Sequence, residues 1–219
     1  MFSPSTSSTL YTITLLRHAE SLGNANGLHQ GQSDFPLTDN GRAQAKALMR
    51  RWKREKRTFD RIIASPLARA RETGEIIAQG LHIPIEFDPI WMERDIGVLQ
   101  GLKPEDAYRD HPRPAFMHLY QAVGETGESQ WGLYIRASQA IHRLLDCPPG
   151  NYLVITHGGI LNLVMYAVLG IAPQANFGGP RFRFSNSAFT TLTYEPGEHK
   201  WSVLGVNDQA HWKDREQVE

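Results

Sequence analysis

Short runs of β-forming apolar residues alternate with stretches of helical periodicity along most of this chain, and that alternation leaves few folds open. Residues 11–16, 61–64, 83–87 and 152–156 read as strands. Between them lie a helix after Thr38 with Ala45, Leu48, Met49 and Trp52 at helical spacing, and a second over 66–79. A third runs from Ser129 to about 146 with Tyr134, Ala137, Ile141 and Leu145 on one face, and a fourth spans 158–169 and ends at Gly170. This order predicts one α/β domain with a mainly parallel sheet, without internal repeats or linkers. Residues 188–194 and 201–206, either side of Glu195-Pro196-Gly197-Glu198, read as a terminal strand pair.

The punctuation between elements is specific. Thr38 is an N-cap, Ser65-Pro66 supplies a cap and a first-turn proline, and Gly80 is the expected stop of the 66–79 helix. Residues 19–36, rich in Gly, Asn and Gln, form a long functional loop. Residues 88–101 are irregular and carry Trp91, Glu93, Arg94 and Asp95. The segment at about 102–127, broken by Pro112 and Pro114, reads as one or two short helices covering the site. Arg50, Arg51, Lys53, Arg54, Lys56 and Arg57 read as the solvated face of their helix.

Composition excludes several classes of function. Lys+Arg and Asp+Glu each total 23, so no bulk charge directs the chain to nucleic acid or to an anionic membrane. Arginine makes up 17 of the 23 cations, and its guanidinium suits two-point contact with phosphate or carboxylate. Cys147 is the sole cysteine, so an intrachain disulfide is excluded; it reads as a small buried side chain before Pro148-Pro149. Residues 1–9 have neither a basic residue nor an apolar core and read as a frayed tail on a cytoplasmic protein, not a signal peptide. Residues 152–171 are mostly apolar, yet His157, Gly158, Gly159 and Asn162 near their middle argue for a buried strand and helix rather than a membrane span.

Three strand-to-helix junctions carry the chemistry. Strand 11–16 ends in Arg17-His18, strand 61–64 leads to Arg69 in a helix's first turn, and strand 152–156 ends in His157-Gly158-Gly159. If these strands are parallel, two arginines and two histidines meet at one sheet edge beside helix N-termini whose free N–H groups add positive potential. Such a pocket requires an anion, and a phosphoryl group carrying about −1.5 to −2 charges matches it.

The motifs around these residues resemble the histidine phosphatase (phosphoglycerate mutase-like) superfamily. The likeness runs from Arg17-His18-Ala19-Glu20 with Asn24, through Gln30-Gly31 and Pro36-Leu37-Thr38, to Ser65-Pro66-Leu67 with Arg69-Ala70. Glu93 with Gly97, Gly127-Glu128-Ser129 and Thr156-His157-Gly158-Gly159 follow in the family's order. The resemblance implies a three-layer α/β/α sandwich and a covalent phosphohistidine mechanism. In it His18 is the nucleophile, Arg17, Arg69 and His157 hold the phosphoryl oxygens, and Asn24 adds a neutral donor. Gln30, Gly31 and Gly158 join the phosphate site, and Glu93 protonates the leaving oxygen and then activates water. No metal or other cofactor is expected, because Arg and His supply the positive charge; the other histidines show no ligand-like pairing with carboxylates.

The chain departs from the family's commoner pattern at Leu28, where many relatives carry an arginine, at Ala19 and at Gln100. Glu20 and Glu72 read as partners of nearby arginines, and Arg71 as pointing off another helix face. Lys103, Arg109, His111 and Arg113 could contact a substrate carboxylate or solvate a short helix. Trp91, Phe116, Tyr120, Trp131 and Phe177 could wall a pocket or belong to the core. The reading is a phosphatase acting on a small phosphomonoester, with phosphoglycerate mutase-type phosphotransfer and a catalytically silent phospho-ligand-binding protein as alternatives. An exposed edge strand would permit a homodimer.

Overall fold

The computed structural model describes residues 10–212, so the tail expected over 1–9 lies outside the described residues. Strands β1 (Tyr11–Arg17), β2 (Arg61–Ala64), β3 (Ile85–Phe87), β4 (Asn151–Thr156), β5 (Phe189–Glu195) and β6 (Lys200–Asp208) form one sheet in the order β3-β2-β4-β1-β5-β6. The first four are parallel neighbours, while β5 and β6 run antiparallel at one side. The helices are α1 (Leu22–Ala25), α2 (Asp39–Arg54), α3 (Ala68–Leu81), α4 (Pro104–Asp110), α5 (Gln130–Leu145) and α6 (Gly158–Leu169).

Strand alternation sorts the core into two faces. Ile13, Leu15, Ile63, Tyr152 and Val154 pack against α5 and α6. Their sequence neighbours Leu16, Ile62, Ala64, Leu153 and Ile155 pack on the other face against Leu48 and Trp52 of α2 and Ala70 and Ile77 of α3. The near-continuous apolar run of β4 follows from burial on both faces. The result is the expected α/β/α sandwich around a mainly parallel sheet. Residues 152–171 fold as β4 and α6, and among the described residues no helix is long and apolar enough to cross a membrane.

Several expectations are refined. Thr38 and Ser129 cap α2 and α5 through their hydroxyls, and Gly170 ends α6 in the left-handed region. Ser65 is not the cap of α3: that helix begins at Ala68 behind Leu67, which has no capping side chain, runs through Gly80 to Leu81, and is capped by His82 with φ 59°. The 83–87 strand shortens to Ile85–Phe87. The covering segment is helical over Pro104–Asp110, and residues 111–129 are irregular. Of the basic residues on α2 and just after it, Arg51 and Arg57 are not solvated. Arg51 makes a two-point ion pair with Asp208 of β6 at 2.6 and 2.8 Å, and Arg57 lies over the rings of Phe189, Trp52 and Phe59.

Candidate active site

Strand register brings the predicted residues together. Arg17 is paired with Thr156 and Ala64 with Ile155, so the last residues of β1, β2 and β4 lie level at one sheet edge. The next residues are stitched across that edge: His18 N–H donates to the Thr156 carbonyl at 2.9 Å, and Ser65 N–H to the Ile155 carbonyl at 2.9 Å. The His18 and His157 rings stand 5.1 Å apart between centroids, and both residues are buried.

His18 is set in one tautomer. Its Nδ1 lies 2.7 Å from the Ala19 carbonyl oxygen, which can only accept, so Nδ1 carries the hydrogen and Nε2 keeps its lone pair. Burial, reinforced by the positive charges of Arg69 and Arg17, holds its pKa well below the ordinary histidine value. His157 is lowered in the same way, first by burial and then by Arg69. Its Nε2 is 2.7 Å from the Ser65 hydroxyl, which also accepts the Leu67 N–H at 3.3 Å. The serine that the spacing suggested as a helix cap thus orients a site imidazole. A Ser65 hydroxyl that accepts from Leu67 and donates to Nε2 would put the hydrogen of His157 on Nδ1.

Two guanidinium groups flank the imidazoles. Arg69 spends its outer nitrogens on the loop after α1, donating to Gly31 O at 2.7 Å and Ser33 O at 2.9 Å. Burial pushes its pKa down to about 10, which leaves it charged at neutral pH. Gly31 is required there: its φ is +50°, and a Cβ would meet Gln100 Oε1 at 2.5 Å. Arg17 donates from Nη1 to the Phe184 carbonyl at 2.6 Å. Arg17 Nε, Arg69 Nε and His157 Nδ1 are buried and have no hydrogen-bond partner among the described residues. A buried polar atom without a partner is costly, about 1–3 kcal/mol, so three in one site, two of them guanidinium donors, mark a place built to receive an acceptor-rich group.

Asn24 and Gln30 belong to the network that holds the loop after β1. Asn24 Oδ1 faces Ser21 N–H at 3.2 Å, the Ser21 hydroxyl at 3.0 Å and Asn186 Nδ2 at 3.0 Å. Donors on its oxygen fix the amide so that its NH2 is the end left for a ligand. Gln30 Oε1 lies 2.7 Å from the same hydroxyl. Gly158 opens α6 behind Arg17, whose Nε would lie 3.7 Å from a Cβ placed there.

Glu93 reaches the site from the irregular stretch after β3. Its carboxylate accepts N–H bonds from Gly159 at 2.9 Å, Ile160 at 3.1 Å and Arg94 at 2.8 Å, so it sits on the N-terminus of α6. Arg136 of α5 anchors the stretch from behind. It donates to the carbonyls of Ile90, Met92 and Glu93 at 2.6 to 3.1 Å and pairs with Glu128 at 2.6 Å.

The sequence reading missed Asn186, which donates both to Asn24 and to the His18 carbonyl at 3.1 Å, and it missed Arg136. Neither carries a local signal, since each acts on residues distant in sequence. Glu72 pairs with Arg42 at 2.6 Å as expected, whereas Glu20 accepts from Thr38 and Asn40 instead of an arginine. Arg71 lies over the Phe87 ring, away from the site. Arg109 is consumed by Asp106 and Asp110, and His111 contacts Glu125. A cavity of about 1090 Å³ opens from Gly158 and Gly159, bounded among others by Arg94, Arg113 and Phe177. Trp91 is core, and Tyr120, Trp131 and Tyr134 form a separate ring cluster.

Residues 13–209 match the family model of the histidine phosphatase superfamily, branch 1. A protein of Cronobacter sakazakii named "Probable phosphoglycerate mutase GpmB" is 31% identical over 207 residues, covering 91% of this chain and 94% of its own length. Among solved structures, Bacillus stearothermophilus YhfR superposes with a TM-score of 0.76 at 26% identity, over 92% of this chain and 98% of its own. The alpha-ribazole phosphatase of Shigella flexneri shares the fold with a TM-score of 0.76 at 22% identity, over 90% and 96% of the two chains.

Proposed function

The chain belongs to the histidine phosphatase superfamily, and from that premise we propose that it hydrolyses a phosphomonoester through a phosphohistidine on His18. The observation that carries this reading is the pairing of a neutral imidazole, its Nε2 lone pair free, with two buried guanidinium N–H donors and a buried ring nitrogen of His157 that lack partners among the described residues. A phosphoryl group supplies three acceptor oxygens and the negative charge that Arg17 and Arg69 require.

In the first step His18 Nε2 attacks phosphorus and the P–O ester bond breaks. The departing alkoxide takes its proton from Glu93. Arg17, Arg69, His157 and the Asn24 amide hold the three equatorial oxygens as their charge redistributes, which lowers the barrier because these donors are already oriented. In the second step a water oxygen attacks the phosphoryl group while Glu93 accepts its proton. The P–N bond breaks and its electron pair returns to Nε2, releasing inorganic phosphate. Gln30, Gly31 and Gly158 shape the same site, Gly31 through Arg69. Positive charge comes wholly from the chain in this scheme, so a chelator leaves the rate unchanged.

A second reading rests on the curated relatives named as probable mutases: the phosphoryl group is passed to another hydroxyl of phosphoglycerate rather than to water. One experiment separates the two. Wild type and His18→Ala are incubated with an aryl phosphate, and with 3-phosphoglycerate in the presence and absence of 2,3-bisphosphoglycerate. Release of inorganic phosphate, loss of that release in His18→Ala, and an acid-labile, alkali-stable phosphoprotein are expected. Phosphoglycerate isomerisation without phosphate release would replace hydrolysis by transfer. Full activity in His18→Ala would refute both readings.

A further inference from the structure

The wall of the cavity that faces the phosphoryl site carries one aromatic residue with an unusual backbone. Asn176 and Phe177 both lie in the left-handed region, with φ of 56° and 54°, which residues other than glycine adopt rarely and bulky ones least of all. Strain of this kind persists only where the surroundings over-determine it, and it concentrates at ligand clamps. The surroundings here do so from two sides. Asn176 makes a reciprocal pair with Met117 of the covering segment, N–H to carbonyl at 2.9 Å and Oδ1 from N–H at 2.6 Å. On the other side, Asn162 of α6 makes two hydrogen bonds to the backbone of Phe182, both at 2.9 Å, and the Tyr166 hydroxyl donates to Pro180 O at 2.7 Å.

What this clasp delivers is the Phe177 ring. It lies against the Arg94 guanidinium, 5.1 Å from ring centroid to Cζ, and Arg94 is itself tied to Gln130 at 2.6 Å. The cavity that Phe177 lines reaches Gly159, whose N–H holds the Glu93 carboxylate assigned to the leaving oxygen. Ile96, Leu99, Met117 and Leu163 continue the apolar surface of the same cavity. Its volume of about 1090 Å³ is at the upper end of sites that enclose drug-sized molecules, far more than a phosphoryl group with a three-carbon acid would fill. Of the aromatics that the sequence offered as a pocket wall, Phe177 alone lines this cavity.

We propose that Phe177 is the platform on which the substrate's leaving group lies, and that the protein selects phosphomonoesters of alcohols bearing a flat apolar ring over those of compact polar alcohols. This rests on the phosphatase reading for the direction of turnover, while the platform itself is a matter of binding. An aromatic ring held in place loses little entropy when a flat partner stacks on it, and Arg94 behind it polarises the pair.

The test compares 2-phenylethyl phosphate with ethyl phosphate, esters of alcohols of similar acidity, so that their ratio of kcat/KM reports binding of the ring and not leaving-group chemistry. Wild type is expected to favour the phenyl ester by about tenfold or more. Phe177→Ala lowers that ratio about fivefold through KM, Phe177→Tyr keeps it, and Phe116→Ala, outside the cavity, leaves it unchanged. Binding of 3-phenylpropylphosphonate and propylphosphonate by calorimetry gives the same comparison without turnover. A wild type that hydrolyses neither ester yet binds the phenyl phosphonate more tightly through Phe177 removes the phosphatase reading and keeps the platform. A ratio near one in wild type, or one unmoved in both Phe177→Ala and Phe177→Leu, overturns the proposal.

Discussion

Gly159→Ala is the most informative single substitution in the site, because two effects that normally oppose each other are separated there. Within a helix, replacing glycine by alanine ordinarily stabilises by about 0.5–1 kcal/mol. Gly159 has no positive φ to forbid the change, but its Cβ would lie 3.0 Å from Glu93 Cδ and closer still to Oε1. Ordinary carbon contacts require about 3.5–4.0 Å, so the carboxylate must retreat by roughly 0.5–1 Å. The bonds from Gly159 at 2.9 Å and Ile160 at 3.1 Å would then stretch past useful length. Their loss costs about 1.5–3 kcal/mol, offset in part by the helix gain, so a folded protein about 1–2 kcal/mol less stable is expected. A displacement of that size at a proton-transfer group costs about a hundredfold in rate. With an alkyl phosphate the first step fails, because the alkoxide cannot leave without a proton. With 4-nitrophenyl phosphate the first step survives and the second fails, so rapid quenching should show a full burst of nitrophenol and an accumulated phosphoprotein. A variant that turns over the alkyl ester at the wild-type rate would refute the role of Glu93 and the argument from its seat on α6.

Two other outcomes follow from the same geometry. His18 and His157 are both held well below the ordinary histidine pKa, so below pH about 6.5 the unfolded chain takes up protons that the folded one does not. Stability should fall with decreasing pH by up to about 1.4 kcal/mol per unit for each imidazole, while the acid limb of kcat/KM lies below 6.5; urea melts between pH 7 and 5 and a pH–rate profile check this, and a stability independent of pH over that range would contradict it. Arg136→Met leaves Glu128 unpaired and three carbonyls of the Glu93 stretch without their donor, for a loss of roughly 3 kcal/mol in denaturant melts and a lowered kcat. Stability within 0.5 kcal/mol of wild type, taken as the ~0.5 kcal/mol band of a neutral surface change, would show that this anchor is dispensable.

Much of this protein was legible before its tertiary structure. The strand over Arg61–Ala64 and the helix over Gly158–Leu169 fall where the residues predicted them, because both are bounded by strong local signals. The convergence of Arg17, His18, Arg69 and His157 follows from parallel order alone, since strand ends at one edge need no long-range detail to become neighbours. Local reading failed where one residue type serves two purposes. Ser65 has the look of a helix cap, yet its hydroxyl orients His157, 92 positions away.

Sequence by itself determined the α/β fold, the family and the set of charged and imidazole groups gathered at the sheet edge, because periodicity, caps and motif order are properties of neighbours along the chain. Tertiary structure alone decided which nitrogen of His18 is free, that Glu93 is seated on α6, that Asn186 and Arg136 are supports, and that Phe177 rather than Trp91 or Phe116 faces the cavity. These are matters of angle and of contact between residues many positions apart, and no local pattern encodes them.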